Sequence, residues 1–205
     1  MKKQLLTLSV AIIALLASCK KDDKTTTTTP STTTTSSIKI GSVFTYKHSD
    51  YDSVYGTTLV STTQYTMTMI RDTTISGDKW FVVERKDGST VTGYGLMKIA
   101  SDGMYTMGSS GAKMNEKFNA AVHDTWVDVS NQFDTVKSIN QSITVPKGSY
   151  TNATYVEASD ANSLENKLWY NDTDLMLRNE EYDESPITPG TMIMDYRDEL
   201  VSIVL

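Results

Sequence analysis

The sequence predicts an all-β domain of antiparallel hairpins, arranged as a sandwich, a barrel or a strongly curved sheet. Three observations predict it. Residues 64–70, QYTMTMI, alternate polar and apolar side chains with period two, the pattern of a strand with one buried face. No window of about a dozen residues carries an apolar stripe at helical spacing. Turn residues recur roughly every 8 to 12 positions, as they do between the strands of sandwiches and barrels.

The strands can be placed in order. Residues 43–47 form the first short run, and 64–70 the second. Residues 80–86, WFVVERK, end at the turn pair Asp87-Gly88. Residues 94–100, YGLMKIA, end at Ser101-Asp102-Gly103, which leads into a strand at 104–107. Further runs fall at 114–118, 125–129, 141–145, 154–158, 167–170, 175–179 and 192–196, and residues 201–205 close the chain. A faint internal echo accompanies them. Residues 42–46 resemble 124–128, 81–88 resemble 154–161, and 94–103 resemble 169–178, in the same order in both halves.

The N-terminal part is of another kind. Lys2 and Lys3 precede an apolar stretch at 5–16 that is too short for the roughly 20 residues of a membrane span. Its length and flanks are those of a signal peptide. Leu16-Ala17-Ser18-Cys19 resembles the bacterial lipobox, which implies that the Cys19 thiol receives a diacylglycerol and that cleavage makes it the first residue. Two or more acyl chains anchor a protein stably where one does not. Membrane lipid, reached through Cys19, is thus the first expected partner. The chain has one cysteine, so an intrachain disulfide is excluded and stability must come from a core.

Lys21-Asp22-Asp23, which follows that cysteine after Lys20, resembles the export signal of Bacteroidota surface lipoproteins, although Lys20 departs from the Gln often found first there. The resemblance implies an outer-membrane protein facing the cell exterior, with the periplasmic face as the alternative. Residues 25–37 contain only Thr, Ser and one Pro; such a tract buries too little apolar area to order itself and reads as a disordered tether. The expected organisation is a signal peptide at 1–18, the lipidated Cys and tether at 19–37, and a single β domain at 38–205. With a formal net charge of −6 for the whole chain, nucleic acid is not an expected partner.

Within the domain, Asp124-x-Trp126, the block ITVPKGSYTNATYVE from Ile143, the strand LWYNDTDLMLR from Leu168 and the closing LVSIVL together resemble a large group of Bacteroidota lipoproteins of unknown function. Pro146 and Gly148 are turn devices in that block. The resemblance implies a curved antiparallel sheet or partly open barrel, as in lipoprotein-carrier-like proteins. It brings no activity.

No catalytic or metal-binding constellation is legible, and no cofactor is expected. His48 and His123 stand in no metal-ligand spacing; His48, Asp50 and Asp52 read as a polar loop after the first strand. Asn171-Asp172-Thr173-Asp174 lacks the central Gly and distal Glu of a calcium loop and reads as a turn. Gly108-Ser109-Ser110-Gly111 is not a nucleophile elbow. Eleven Tyr and three Trp suit strands, and they also suit a binding face; Trp126, Trp169 and Tyr170 are the candidates for ligand contact. Met67 with Met69, and Met192 with Met194, alternate along strands and can line an adaptable cavity or pack a core. Ser53, Thr73 and Thr135 sit in Asp-Ser/Thr triplets resembling the O-glycosylation signal of Bacteroidota. The leading reading is a non-enzymatic, lipid-anchored outer-membrane protein whose β domain binds a glycan, a lipid-like ligand or a partner protein. A carrier or chaperone holding apolar molecules in a concave sheet is the alternative, and a carboxylate-based hydrolase comes after it.

Overall fold

Alternation and tight turns carry the chain through twelve strands: β1 (Val43–Tyr51), β2 (Leu59–Ile75), β3 (Asp78–Asp87), β4 (Thr90–Ile99), β5 (Gly103–Gly108), β6 (Gly111–Lys117), β7 (Thr125–Val127), β8 (Phe133–Val145), β9 (Gly148–Asp160), β10 (Ser163–Asn171), β11 (Leu175–Glu184) and β12 (Met192–Val204). This computed structural model describes residues 37–160 and 163–205. Cys19, Lys21, Asp22, Asp23 and most of the expected tether therefore lie outside the described residues. No helix occurs among those described.

Local chemistry explains the turns. Ser76 and Gly77 both have positive φ, at 53° and 89°, and separate the register partners Ile75 and Asp78. That is a two-residue primed turn, whose twist matches the strands it joins. Pro146 and Lys147 make the β8–β9 turn between the partners Val145 and Gly148, with proline's fixed φ starting the reversal.

The sheet order is β6-β5-β4-β3-β2-β1-β12-β11-β10-β9-β8-β7, with antiparallel neighbours throughout. Consecutive strands thus pair throughout except β6 and β7, and β1 pairs with β12. The result is an up-and-down, nearly closed barrel-like sheet whose one seam falls between β6 and β7. Closure removes exposed strand edges, which otherwise invite association. At the seam, the Tyr170 hydroxyl on β10 donates to the Lys117 carbonyl (2.6 Å) and accepts from the Lys117 N–H (3.2 Å). Lys117 Nζ also pairs with Asp124 at 2.8 Å.

The main apolar cluster includes Phe44, Tyr46, Tyr65, Met69, Val83, Met97, Leu177 and Leu200. A smaller one near the seam is formed by Val136, Val156 and Tyr170, with Trp126 and Leu168 packed against it. The three sequence echoes fall on strands six apart: β1 with β7, β3 with β9, and β4 with β10. Each half contributes six consecutive strands.

Several strands are longer than the sequence pattern indicates. The expected runs at 192–196 and 201–205 are one strand, β12, which ends at Val204, because a register shift opposite Thr45 and Tyr46 interrupts the alternation. β8 begins at Phe133 rather than at 141, and its pairing with β9 shifts register three times. Each shift breaks the period-two signal that marks a strand.

Candidate functional site

In an antiparallel sheet, residues opposed in register share a face. One such row crosses eight strands: Ser61, Asp50, Tyr196, Glu181, Asn166, Ala158, Asp134 and Trp126. The adjoining row carries Thr63, His48, Asp198, Asn179, Leu168, Val156 and Val136. Glu181, Asn166, Asp134 and Asn179 line a cavity of about 270 Å³, so both rows face the lumen. A polar, largely acidic belt therefore runs around the inside of the sheet.

Its members are held by one another. Asn166 Nδ2 donates to Asn179 Oδ1 (2.6 Å) and to Glu181 Oε2 (2.9 Å), and the Tyr196 hydroxyl donates to Glu181 Oε2 at 3.4 Å. Tyr65 donates to Asp198 Oδ2 at 3.1 Å. The His48 imidazole lies between Asp198 (Nδ1, 2.7 Å) and Asp50 (Nε2, 2.9 Å), and Ser61 donates to Asp50. His48 and Asp50 thus stand on β1, facing inward, and not in a loop after the first strand. The sequence pattern missed this because both positions are polar, and polar residues on an inner face mimic a loop.

Burial raises the carboxyl pKa values of Glu181, Asp198 and Asp134 in this belt, whereas the Ser61 hydrogen bond lowers that of Asp50. Glu181 and Asp198 are both pushed up by desolvation, with the hydrogen bonds to Asn166 and His48 opposing. Asp134, 4 % exposed, is pushed up to about 8 by burial first and by Asp128 second, with the Trp126 indole N–H pulling the other way.

The opposing wall comes from the first six strands. Phe44, Met67, Met97 and Met104 line the same cavity. Glu116 on β6 is the register partner of Met104 and is 1 % exposed. Burial, with Asp172 nearby, holds its carboxyl well above the ordinary range. Its Oε2 is buried without a hydrogen-bond partner, as is Oδ1 of the adjacent Asn115. Buried acceptors are normally satisfied, so two orphans on one cavity wall call for an explanation.

A second space of about 280 Å³ shares Met67, Met97 and Thr106 with the first, and it is also lined by Val83, Arg85, Gly93 and Gly95. Gly93 and Gly95 are the register partners of Arg85 and Val83. A Cβ added at either glycine would meet nothing within 4 Å, so the missing side chains leave the lumen open along β4. Arg85, half exposed, lies over the Tyr65 ring with its guanidinium carbon 4.0 Å from the centroid.

The outer face is different in kind. Its rows read Lys47, Glu199, Arg178, Trp169, Tyr155 and Arg197, Glu180, Lys167, Glu157. Ion pairs tie Lys47 and Arg178 to Glu199 (2.6 and 2.8 Å) and Arg197 to Glu180 (2.9 Å). Trp169 is half-buried, stacks on Tyr155 at 4.7 Å and donates from Nε1 to Gln141 at 2.9 Å.

The other candidates of the sequence are placed as follows. Tyr170 is 0 % exposed, with its hydroxyl engaged at the seam. Trp126 is half-buried against the smaller core cluster. Ser53 is exposed in the β1–β2 loop, where the Asp52 carboxylate accepts from the N–H groups of Val54, Tyr55, Thr57 and Thr58 and organises the turn. Thr73 is half-buried on β2, beside an Asp72 paired with Lys79 at 2.8 Å. Thr135 is half-buried on β8, next to the inward-facing Asp134. Asn171 caps its own turn, its Oδ1 accepting from the N–H groups of Thr173 and Asp174. No group of three or more metal-type ligands occurs among the described residues.

The chain matches no protein-family model and no curated protein. Two solved structures resemble it. One is described as an exported protein with a YmcC-like fold from Bacteroides fragilis; it shares 9 % identity at a TM-score of 0.49, over 82 % of this chain and 97 % of its own. The other is described as a lipoprotein from Parabacteroides distasonis, with 13 % identity and a TM-score of 0.50, over 81 % of this chain and 96 % of its own. At such identities the likeness is one of fold: the all-β, nearly closed sheet occurs in the second of these proteins too.

Proposed function

We propose that this chain is a lipid-anchored outer-membrane protein, facing the cell exterior, whose β domain holds a small molecule in its lumen without chemical conversion. The carrying observation is the cavity lining, which combines Phe44, Met67, Met97 and Met104 with the polar Glu116, Asp134, Glu181 and Asn166. Ligand sites combine apolar lining with a few orienting polar groups in this way, and methionine adapts to the shape of its guest. The N-terminal sequence supplies the anchor at Cys19 and the export signal at Lys21, Asp22 and Asp23.

The test has two arms. Growth with an alkyne-bearing fatty acid should label the wild type and not Cys19→Ala, and protease added to intact cells should release the domain; an unlabelled wild type removes the anchor, and full protection removes the outward orientation. For the lumen, native mass spectrometry of the full chain released from membranes should show a non-covalent small-molecule adduct. Absence of any adduct argues against a resident ligand.

A second reading has one observation in its favour. The Tyr155–Trp169 stack on the outer face offers half-exposed rings of the kind that sugars pack on. On that reading Trp169→Ala abolishes retention on a glycan array, whereas substitutions in the lumen leave it unchanged.

A further inference from the structure

The first cavity of the lumen lacks a lysine or arginine. Four carboxyl side chains, Glu116, Asp128, Asp134 and Glu181, line the first cavity, and no Lys or Arg does. Basic groups elsewhere in the fold are engaged: Lys117 with Asp124, Lys98 with Asp78, Arg197 with Glu180, His48 with Asp50 and Asp198, while Arg85 borders the adjoining space over the Tyr65 ring. Glu116, Asp134 and Glu181 enter no ion pair among the described residues. Buried acids without an ion-pair partner are costly in the charged form, and these three line a cavity.

The orphaned acceptors give the missing group a chemical character. Glu116 Oε2 and Asn115 Oδ1 both need a donor, and Glu116 is 99 % withdrawn from solvent by its exposure of 1 %. Asn115 and Glu116 are adjacent, with the register shift between Met104 and Tyr105 placing Asn115 as the extra residue on β6. An ammonium group carries three N–H donors and a positive charge, which answers both deficits. With no group of three metal-type ligands among the described residues, the charge is best supplied by an organic cation. The methionine and phenylalanine side chains that line the same cavity suit a carbon chain attached to it.

We propose that the lumen takes an amphiphilic primary amine, its ammonium group meeting Glu116 and Asn115 with Asp134 as the second anion, and its carbon chain lying along Met67, Met97 and Met104. This rests on the lumen reading given above. Burial raises the pKa of Glu116 and of Asp134; the groups facing Glu116 are Asp172, Tyr46 and Tyr170, and those facing Asp134 are Asp128, Trp126 and Tyr170. None of them is a cation. An arriving ammonium favours the carboxylates, so its binding releases protons.

The test uses the full chain in nanodiscs of uncharged lipid, titrated calorimetrically with hexylamine, 1-hexanol and hexanoate against empty nanodiscs. Hexylamine should bind at least about tenfold more tightly than either companion, the scale of a charge-assisted hydrogen bond. Its apparent enthalpy should change with the ionisation enthalpy of the buffer. Glu116→Gln should erase the margin and leave hexanol unchanged, with Asp134→Asn as the second variant should the first fold poorly. Equal affinities for hexylamine and hexanol, or a margin that survives both substitutions, overturn the amine assignment and leave the lumen reading in place. No saturable binding of any of the three probes overturns the lumen reading and this inference with it.

Discussion

The hydroxyl of Tyr170 holds both backbone polar groups of Lys117, donating to its carbonyl at 2.6 Å and accepting from its N–H at 3.2 Å. It does so across the one place where the ring of strands is not closed by a ladder. A side chain of β10 thus satisfies the end of edge strand β6. Replacing Tyr170 by Phe keeps the ring in the core and orphans those two groups, which costs about 1–3 kcal/mol. The melting temperature should fall by about 2–4 °C per kcal/mol for a domain of this size. Hydrogen exchange should accelerate at Lys117 before it does on β1 or β12. An unchanged melting temperature would show that the seam is held by other contacts.

Asp134 makes the stability of the fold depend on pH. Its carboxyl is pushed up to about 8 in the folded protein by burial and by Asp128, against roughly 3.9 in an unfolded chain. Between those values the folded state keeps a proton that the unfolded state releases. Its favourable contribution is complete below about pH 4 and is lost as pH rises towards 8, at up to about 1.4 kcal/mol per unit. Asp134→Asn should therefore be the more stable form at pH 8, by about 1–3 kcal/mol, and the gap should close by pH 4. Urea unfolding at both pH values measures it. A gap that is constant with pH would mean that Asp134 titrates normally.

The legible part of the fold was the part with regular alternation. Residues 64–70 and 80–86 announced β2 and β3, and Asp87-Gly88, Ser101-Asp102-Gly103 and Pro146 with Gly148 sit where β3, β4 and β8 end. What escaped notice was the polar inner face. Asp50, His48, Asp134, Asn166 and Glu181 point inward; in the sequence His48 and Asp50 read as a loop and the other three give no signal, because polarity usually marks the outside of a strand. Glu116 gave no local signal at all: its neighbour Met104 is contributed by another strand. Trp169 and Tyr170 were equivalent candidates in sequence, but adjacent positions on a strand face opposite ways, so one lies outside on Tyr155 and the other is sealed in the core. Register, which no single segment contains, decides all of these.

Gly103 gives a direct check on the wall that carries Glu116. A Cβ there would overlap the Glu116 carbonyl oxygen and approach the Met114 methyl group. The two strands β5 and β6 meet at this point with no room for a side chain. Gly103→Ala should destabilise the domain by about 1–3 kcal/mol, the usual cost of overpacking, whereas Gly95→Ala, in open space, should change little. Equal effects in paired denaturation curves would contradict the close approach.

The claim on which the account turns is that the lumen is a binding site, and probe uptake tests it most directly. Gly93 and Gly95 leave the space along β4 empty, so Gly93→Leu with Gly95→Leu fills it from the wall without disturbing any described contact. The measurement is the fluorescence of N-phenyl-1-naphthylamine titrated into the Cys19→Ala form, where no acyl chain or detergent competes for the probe. The account predicts a saturable rise with the open lumen and at least a tenfold weaker response with the filled one, at unchanged circular dichroism. Indistinguishable titrations of the two proteins would contradict it.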